Sequence, residues 1–358
     1  MSQPVGLLDK ATSKLPAYLP RFERARPVVA VVAENTFTEL TDFVIPYGVL
    51  RESGVAQVLA IATKPDPIKM LPNAFQIVPQ ETVETFDSRF PEGADYVVVP
   101  AVARNRDPSL LAWIRTQAQK GAVIVGICDG VWVLANADLL KGRKSVGHWF
   151  SFKRLAKKNP DAQWLRNTRY VADGNVMTTT GITASIPASV AIVEAIAGTE
   201  TASILAKKLG IESWGTEHPS EQFKLGAKPI ATAIINGLSF WAHEKIGVRI
   251  NDGVDEMALA LVTDTYSRTF RSKVILLSQT TSSITTRRGL EIIPATNHSL
   301  ETSVSHTIDL RFDSTTNSIA YPAPVSWLEK MLQEITQRYG SNTADFVALQ
   351  LEYPRSGT

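Results

Sequence analysis

The chain has 358 residues, with 37 Lys and Arg against 35 Asp and Glu, a formal charge of +2, and 44% hydrophobic residues. That is enough chain for two domains, and the near-neutral charge gives no electrostatic case for a nucleic-acid or membrane partner. One cysteine excludes an intramolecular disulfide framework and suits a reducing compartment, and no apolar run approaches a membrane span, so the expectation is a cytoplasmic protein.

Residues 1–26 mix charged residues and proline among scattered leucines. They lack the continuous apolar core of a signal peptide and read as an N-terminal arm. Residues 27–33, P-V-V-A-V-V-A, suit a buried strand, and residues 39–53 suit a helix stopped by Gly54. Further strands are expected over 55–62, 75–78 and 95–100, and a helix over 108–119. Alternating helices and continuous apolar strands argue for a parallel sheet covered on both faces. Ligands in such sheets sit beyond the carboxyl ends of the strands.

Residues 121–143 organise the chain: G-A-V-I-V-G-I-C-D-G-V-W-V-L-A-N-A-D-L-L-K-G-R. An apolar strand turns through Gly126, Cys128 and Gly130 into an apolar helix predicted to run to Leu140. A reactive side chain at such a bend, with small neighbours, is a nucleophile elbow. The helix N-terminus under the thiol is expected to favour thiolate. Beyond it, 150–158 read as a helix, 169–172 and 176–179 as a hairpin around Asp173-Gly174, and 187–196 as an apolar helix. Residues 201–210 resemble the first helix of a helix-turn-helix, but Gly215 and Pro219 break the recognition helix that should follow, so no nucleic-acid partner is expected. Residues 228–247 read as a connecting helix.

The last third echoes the first. Residues 256–270, 273–277 and 290–294 repeat the pattern of 40–54, 58–62 and 75–79, with L-E-I-I-P against F-Q-I-V-P. Residues 319–322 echo 97–100, 327–339 echo 113–119, and 346–351 echo the elbow strand, without a second cysteine. The reading is a truncated, degenerate second copy of the fold. An unrelated α/β domain is the alternative. The expected division is an arm (1–26), an α/β domain (27–200), connecting helices (201–248) and the half-copy (249–354). The half-copy is expected to pack on the first domain as an internal pseudo-dimer, and a homo-oligomer is compatible with that arrangement.

G-I-C-D-G, L-A-N-A-D-L-L-K-G-R and G-H-W at 147–149 resemble the ThiJ/PfpI family of the class I glutamine amidotransferase-like superfamily, across residues 26–198. The nearest branch holds isonitrile hydratases and the amidase-like domains of AraC-type regulators. The resemblance implies a flavodoxin-like α/β fold and a site around Cys128. It implies that Asp42, in T-D-F-V-I-P, handles a proton beside the thiol. Glu39 and Glu34 are the fallback acids. It places His148 in the H-W motif, facing the pocket or buried as a structural residue. Asp129 stands where many relatives carry a basic His. Its backbone N–H and that of Val102 would form an oxyanion hole, although Ala101-Val102-Ala103 replaces the family's Gly-Gly.

Two functions follow. One is a cysteine-dependent hydrolase, hydratase or glyoxalase-like lyase acting on a small molecule. The other is a non-catalytic ligand-binding or redox-sensing regulator. No cofactor is expected, and His218, His243, His298 and His306 show no metal-ligand spacing.

Overall fold

The computed structural model describes residues 14–279, 283–294, 304–312 and 322–354. A seven-stranded sheet lies at the centre of the first domain. Its order is Tyr170–Asp173, Val176–Thr179, Val123–Gly126, Tyr96–Val99, Val28–Ala33, Gln57–Ala62, Glu81–Thr82. Every neighbouring pair is parallel except the hairpin of the first two. Apart from the edges this is the flavodoxin-like order. Val28–Ala33 is buried along its whole length, because helices cover both faces of the sheet.

On one face, helices Val83–Arg89, Pro108–Gln119 and Val131–Asn136 pack Phe86, Leu110, Ile114 and Leu134 against Val28, Val32 and Ile124. On the other lie Leu40–Ser53 and Ser185–Leu209. The first is apolar on every side, with all residues from Leu40 to Leu50 buried. A helix of that kind needs a covering layer on its outer side. Helix Glu256–Ser267, buried from Glu256 to Tyr266, supplies it. The two approach so closely that a Cβ on Gly48 would lie 2.5 Å from Met257 Cγ. One apolar core therefore runs from Val29 and Val31 through Phe43 and Val49 to Leu259, Val248 and Met331.

The C-terminal third is an α/β layer. Strands Ser272–Ser278, Glu244–Ile250 and His306–Asp309 form a parallel sheet in that order. Strand Glu291–Pro294 instead joins the first domain, antiparallel to Phe75–Val78. Ile292 faces Ile77, Glu291 faces Val78 and Ile293 faces Gln76. Helices Pro324–Tyr339 and Ser341–Leu351 close the layer.

Several sequence expectations need correction. Residues 346–351 are helical, the end of Ser341–Leu351, not an elbow-like strand. Residues 228–247 are not one helix: Ala227–Leu238 ends, and Glu244–Ile250 is the central strand of the second sheet. The echo expected at 319–322 falls largely outside the described residues, and the strand beside Glu244–Ile250 is His306–Asp309. After Cys128 comes a 3-10 turn, Cys128–Gly130, and only a six-residue helix, Val131–Asn136. Ile182–Leu209 is, by length and composition, long and apolar enough to cross a membrane, contrary to the sequence reading. It is mostly buried in the protein core and kinks at Gly198.

Candidate functional site

The elbow is built at the carboxyl end of strand Val123–Gly126. The Ile127 N–H donates to Val99 O at 2.9 Å, which extends the sheet pairing to the bend. Cys128 then takes φ 52°, a left-handed conformation that costs a non-glycine residue about 1–3 kcal/mol. Its N–H donates to Thr179 Oγ1 at 3.1 Å, which holds the strained residue from the neighbouring strand. Gly130 permits the close packing: a Cβ there would lie 2.1 Å from Val99 O. The thiol residue is 8% exposed.

Carboxyl groups surround it. Asp42 is buried in the first turn of Leu40–Ser53. Its Oδ2 accepts the Ala101 N–H at 3.2 Å, while Oδ1 is buried with no partner among the described residues. Glu39 caps that helix through the Asp42 N–H at 2.6 Å and meets Arg268 Nη2 at 2.9 Å. Arg268 also binds Asp264 through Nε at 2.7 Å. Glu352 is wholly buried and accepts the N–H groups of Trp149, at 3.0 Å, and Gly181. Glu34, the other fallback acid, instead binds the Thr36 hydroxyl in its own loop, at 2.8 Å.

Burial sets the charge state of this cluster. It pushes Glu39 and Glu352 up to about 7, against the opposing pull of Arg268 on the first and of two N–H donors on the second. Asp42 is raised well above the usual carboxylate range, by burial and then by Glu39. The Cys128 thiol is also raised well above its ordinary value. Burial is the largest cause, followed by the charges of Asp42, Asp129, Glu39 and Glu352. This reverses the expectation that the helix N-terminus would favour thiolate. Burial first, and then the carboxyls, outweigh the dipole of so short a helix.

The remaining predicted residues fall as follows. Asp129 follows the thiol and accepts the Ser151 hydroxyl at 2.8 Å; burial raises its carboxyl. His148 is tied to the C-terminal helix, with Nε2 3.2 Å from Gln350 O, and burial lowers it to about 4. A neutral ring meeting a carbonyl through Nε2 is a donor there. Val102 bridges Thr38 in antiparallel fashion. Glu39 N–H to Ala101 O at 2.8 Å and Ala103 N–H to Phe37 O at 2.9 Å flank it. Val102's own N–H therefore points away from that segment. Among the described residues no group of His, Cys, Asp and Glu has the geometry of a metal site.

Sequence reasoning missed the C-terminal contributors: Asp264, Arg268, Gln350 and Glu352. The i, i+4 spacing of Asp264 and Arg268 signals a helical pair, but nothing in it points to the elbow. Glu352 carries no local signal; its place comes from a left-handed residue, φ 54°, capping Ser341–Leu351.

Residues 27–195 match the DJ-1/PfpI family profile. The chain is 31% identical over 103 residues to an isonitrile hydratase of Pseudomonas putida, covering 29% of this chain and 44% of that one. It is 34% identical over 79 residues to the HTH-type transcriptional regulator CdhR of Pseudomonas aeruginosa, covering 22% and 23%. The chain thus spans less than half the length of either relative. Among solved structures, DJ-1beta of Drosophila melanogaster is similar with a TM-score of 0.47 and 23% identity, over 52% of this chain and 98% of that one. A ThiJ/PfpI family protein from Pseudomonas syringae is similar with a TM-score of 0.47 and 21% identity, over 55% and 83%.

Proposed function

The chain belongs to the DJ-1/PfpI family through residues 27–195, and on that premise we propose that it is a non-catalytic, small-molecule-binding regulator whose elbow is held latent by its C-terminal third. One observation carries this reading: the Cys128 thiol is buried among Asp42, Asp129, Glu39 and Glu352 and raised well above its ordinary value. Nucleophilic attack and oxidation both proceed through thiolate, so this site opposes both. A redox-sensing role is the weaker form of the regulator for the same reason. The charge of Asp129 disfavours the thiolate beside it, and His148 is engaged with Gln350.

The same reading takes the last third as a truncated second copy that acts as an internal pseudo-dimer partner. Three observations support it. The order Ser272–Ser278, Glu244–Ile250, His306–Asp309 repeats Gln57–Ala62, Val28–Ala33, Tyr96–Val99. Glu39 and Asp255 cap the two facing helices. The ladder between Phe75–Val78 and Glu291–Pro294 is symmetric about Ile77 and Ile292 when F-Q-I-V is set against L-E-I-I.

A second reading is a cysteine-dependent hydratase, hydrolase or lyase. The buried, unpartnered Asp42 Oδ1 favours it, since a carboxyl held protonated can give a proton to a substrate at the elbow. The N–H groups of Asp129 and Val102 would then hold developing charge. Turnover assays with isonitriles, amides and 2-oxoaldehydes separate the two. Cys128-dependent turnover of any of them, lost in Cys128→Ser, overturns the non-catalytic reading.

A further inference from the structure

A cavity of about 190 Å³ lies between the first domain and the C-terminal layer, apart from the thiol. Ile45, Ile186, Leu261, Leu328 and Leu351 form its apolar wall, drawn from both parts of the chain. Two basic side chains, Arg169 and His218, interrupt that wall, along with the hydroxyls of Thr183, Ser185, Ser213 and Tyr353.

Among the described residues neither side chain makes a hydrogen bond. The Arg169 backbone is held on both sides, its N–H on Thr216 O at 2.6 Å and its carbonyl on the Thr180 N–H at 2.9 Å. Among the described residues its guanidinium makes no hydrogen bond or ion pair, and Glu217 acts on it only through charge. His218 is 6% exposed and stacked on Phe223 at 5.4 Å. Its Nε2 is buried with no hydrogen-bond partner; the nearest acid, Glu352 Oε2, stands 3.8 Å away. Burial and then the charge of Arg169 lower His218 to about 4, so the two groups are neighbours and the neutral ring has one N–H to donate.

A partly desolvated guanidinium and a buried imidazole without a hydrogen bond, both beside an apolar wall, form an arrangement that an anion would complete. We propose that this cavity is a binding site for a small monocarboxylate with a short aliphatic or aryl tail, its carboxylate held by Arg169 and His218 and its tail against Ile186, Leu261 and Leu328. Size fits: a dry cavity of about 150 Å³ takes benzene, so this one takes a comparable tail with a carboxylate at its edge. Among the described residues Arg169 is the one cationic side chain on the wall, which matches a monoanion rather than a dianion. Ligand sites prefer such boundaries between packed units. The site is distinct from the elbow and stands whether or not the elbow is latent.

Isothermal titration of the full chain with hexanoate, phenylacetate and hexanamide tests the proposal. The expected result is saturable binding of at least one acid, one per chain, unchanged in Cys128→Ser. Hexanamide and the Arg169→Gln variant should each weaken binding about tenfold or more, the loss of a charge-assisted hydrogen bond. Val325→Trp, filling the cavity from its half-buried rim, should abolish it and serves if Arg169→Gln folds poorly. The proposal is overturned if neither acid binds, if hexanamide binds as well as hexanoate, if both variants bind as the parent does, or if Cys128→Ser abolishes binding.

Discussion

Arg268 Nη2 lies 2.9 Å from Glu39 Oε1, between residues 229 positions apart in the chain. This contact ties the last third to the N-cap of the helix that carries Asp42. Arg268 is the cation that offsets Asp264, which is buried, and Glu39, which is largely buried beside it. Removing it leaves those carboxyls without their counter-charge. Arg268→Met is expected to lower stability by about 2 kcal/mol near neutral pH, a figure reduced from that of a fully buried pair because the guanidinium is partly exposed. The loss should shrink at acidic pH, where Glu39 and Asp264 are protonated. Urea unfolding at two pH values checks both parts.

The buried acids make stability fall as pH rises. Glu39 and Glu352, at about 7 against an ordinary 4.5, bind protons in the folded state that the unfolded chain has released. Their contribution is present below their unfolded values and is lost as pH rises through about 7. His148 and His218, lowered from 6.5 to about 4, act oppositely below 6.5 and largely cancel the acids there. The net effect appears above 6.5, as a fall of about 1 kcal/mol in total by pH 8. Thermal unfolding across that range should show it, and Glu352→Gln should flatten it.

Gly130 is the tightest point of the elbow. A Cβ there would meet Val99 O at 2.1 Å and the Pro100 carbonyl carbon at 2.9 Å, both backbone atoms that cannot swing aside. Gly130→Ala is expected to cost about 3 kcal/mol, the upper range for overpacking. Chemical denaturation measures it. A stability equal to the parent's would mean the elbow does not seat on the strand end as described.

Much of the first domain was legible because its elements announce themselves locally. V-V-A-V-V-A can be little other than a buried strand, and Pro108 and Gly54 mark a helix start and stop. Asp42 and Cys128 were legible from motif. The last third was harder for a physical reason. Residues 346–351, F-V-A-L-Q-L, form a short apolar run that periodicity alone cannot assign, and the helix is settled by its start at Ser341. Glu244–Ile250 alternates as a half-buried strand but follows a long apolar stretch that masked its beginning. The contacts of Arg268, Gln350 and Glu352 with the elbow region arise only from packing of distant elements, so no local pattern carries them. The thiol's charge state was misjudged because the dipole was visible in sequence, whereas the burial that dominates it and the convergence of the carboxyls on it were not.

The most direct test of the central claim is the rate at which Cys128 reacts with iodoacetamide between about pH 7 and 9, set against a free thiol. The buried, carboxyl-ringed site predicts a rate below that of the free thiol across the range, rising when Glu352→Gln removes one of the charges. A rate at or above that of the free thiol at neutral pH would contradict the latent elbow and return Cys128 to the role of a nucleophile.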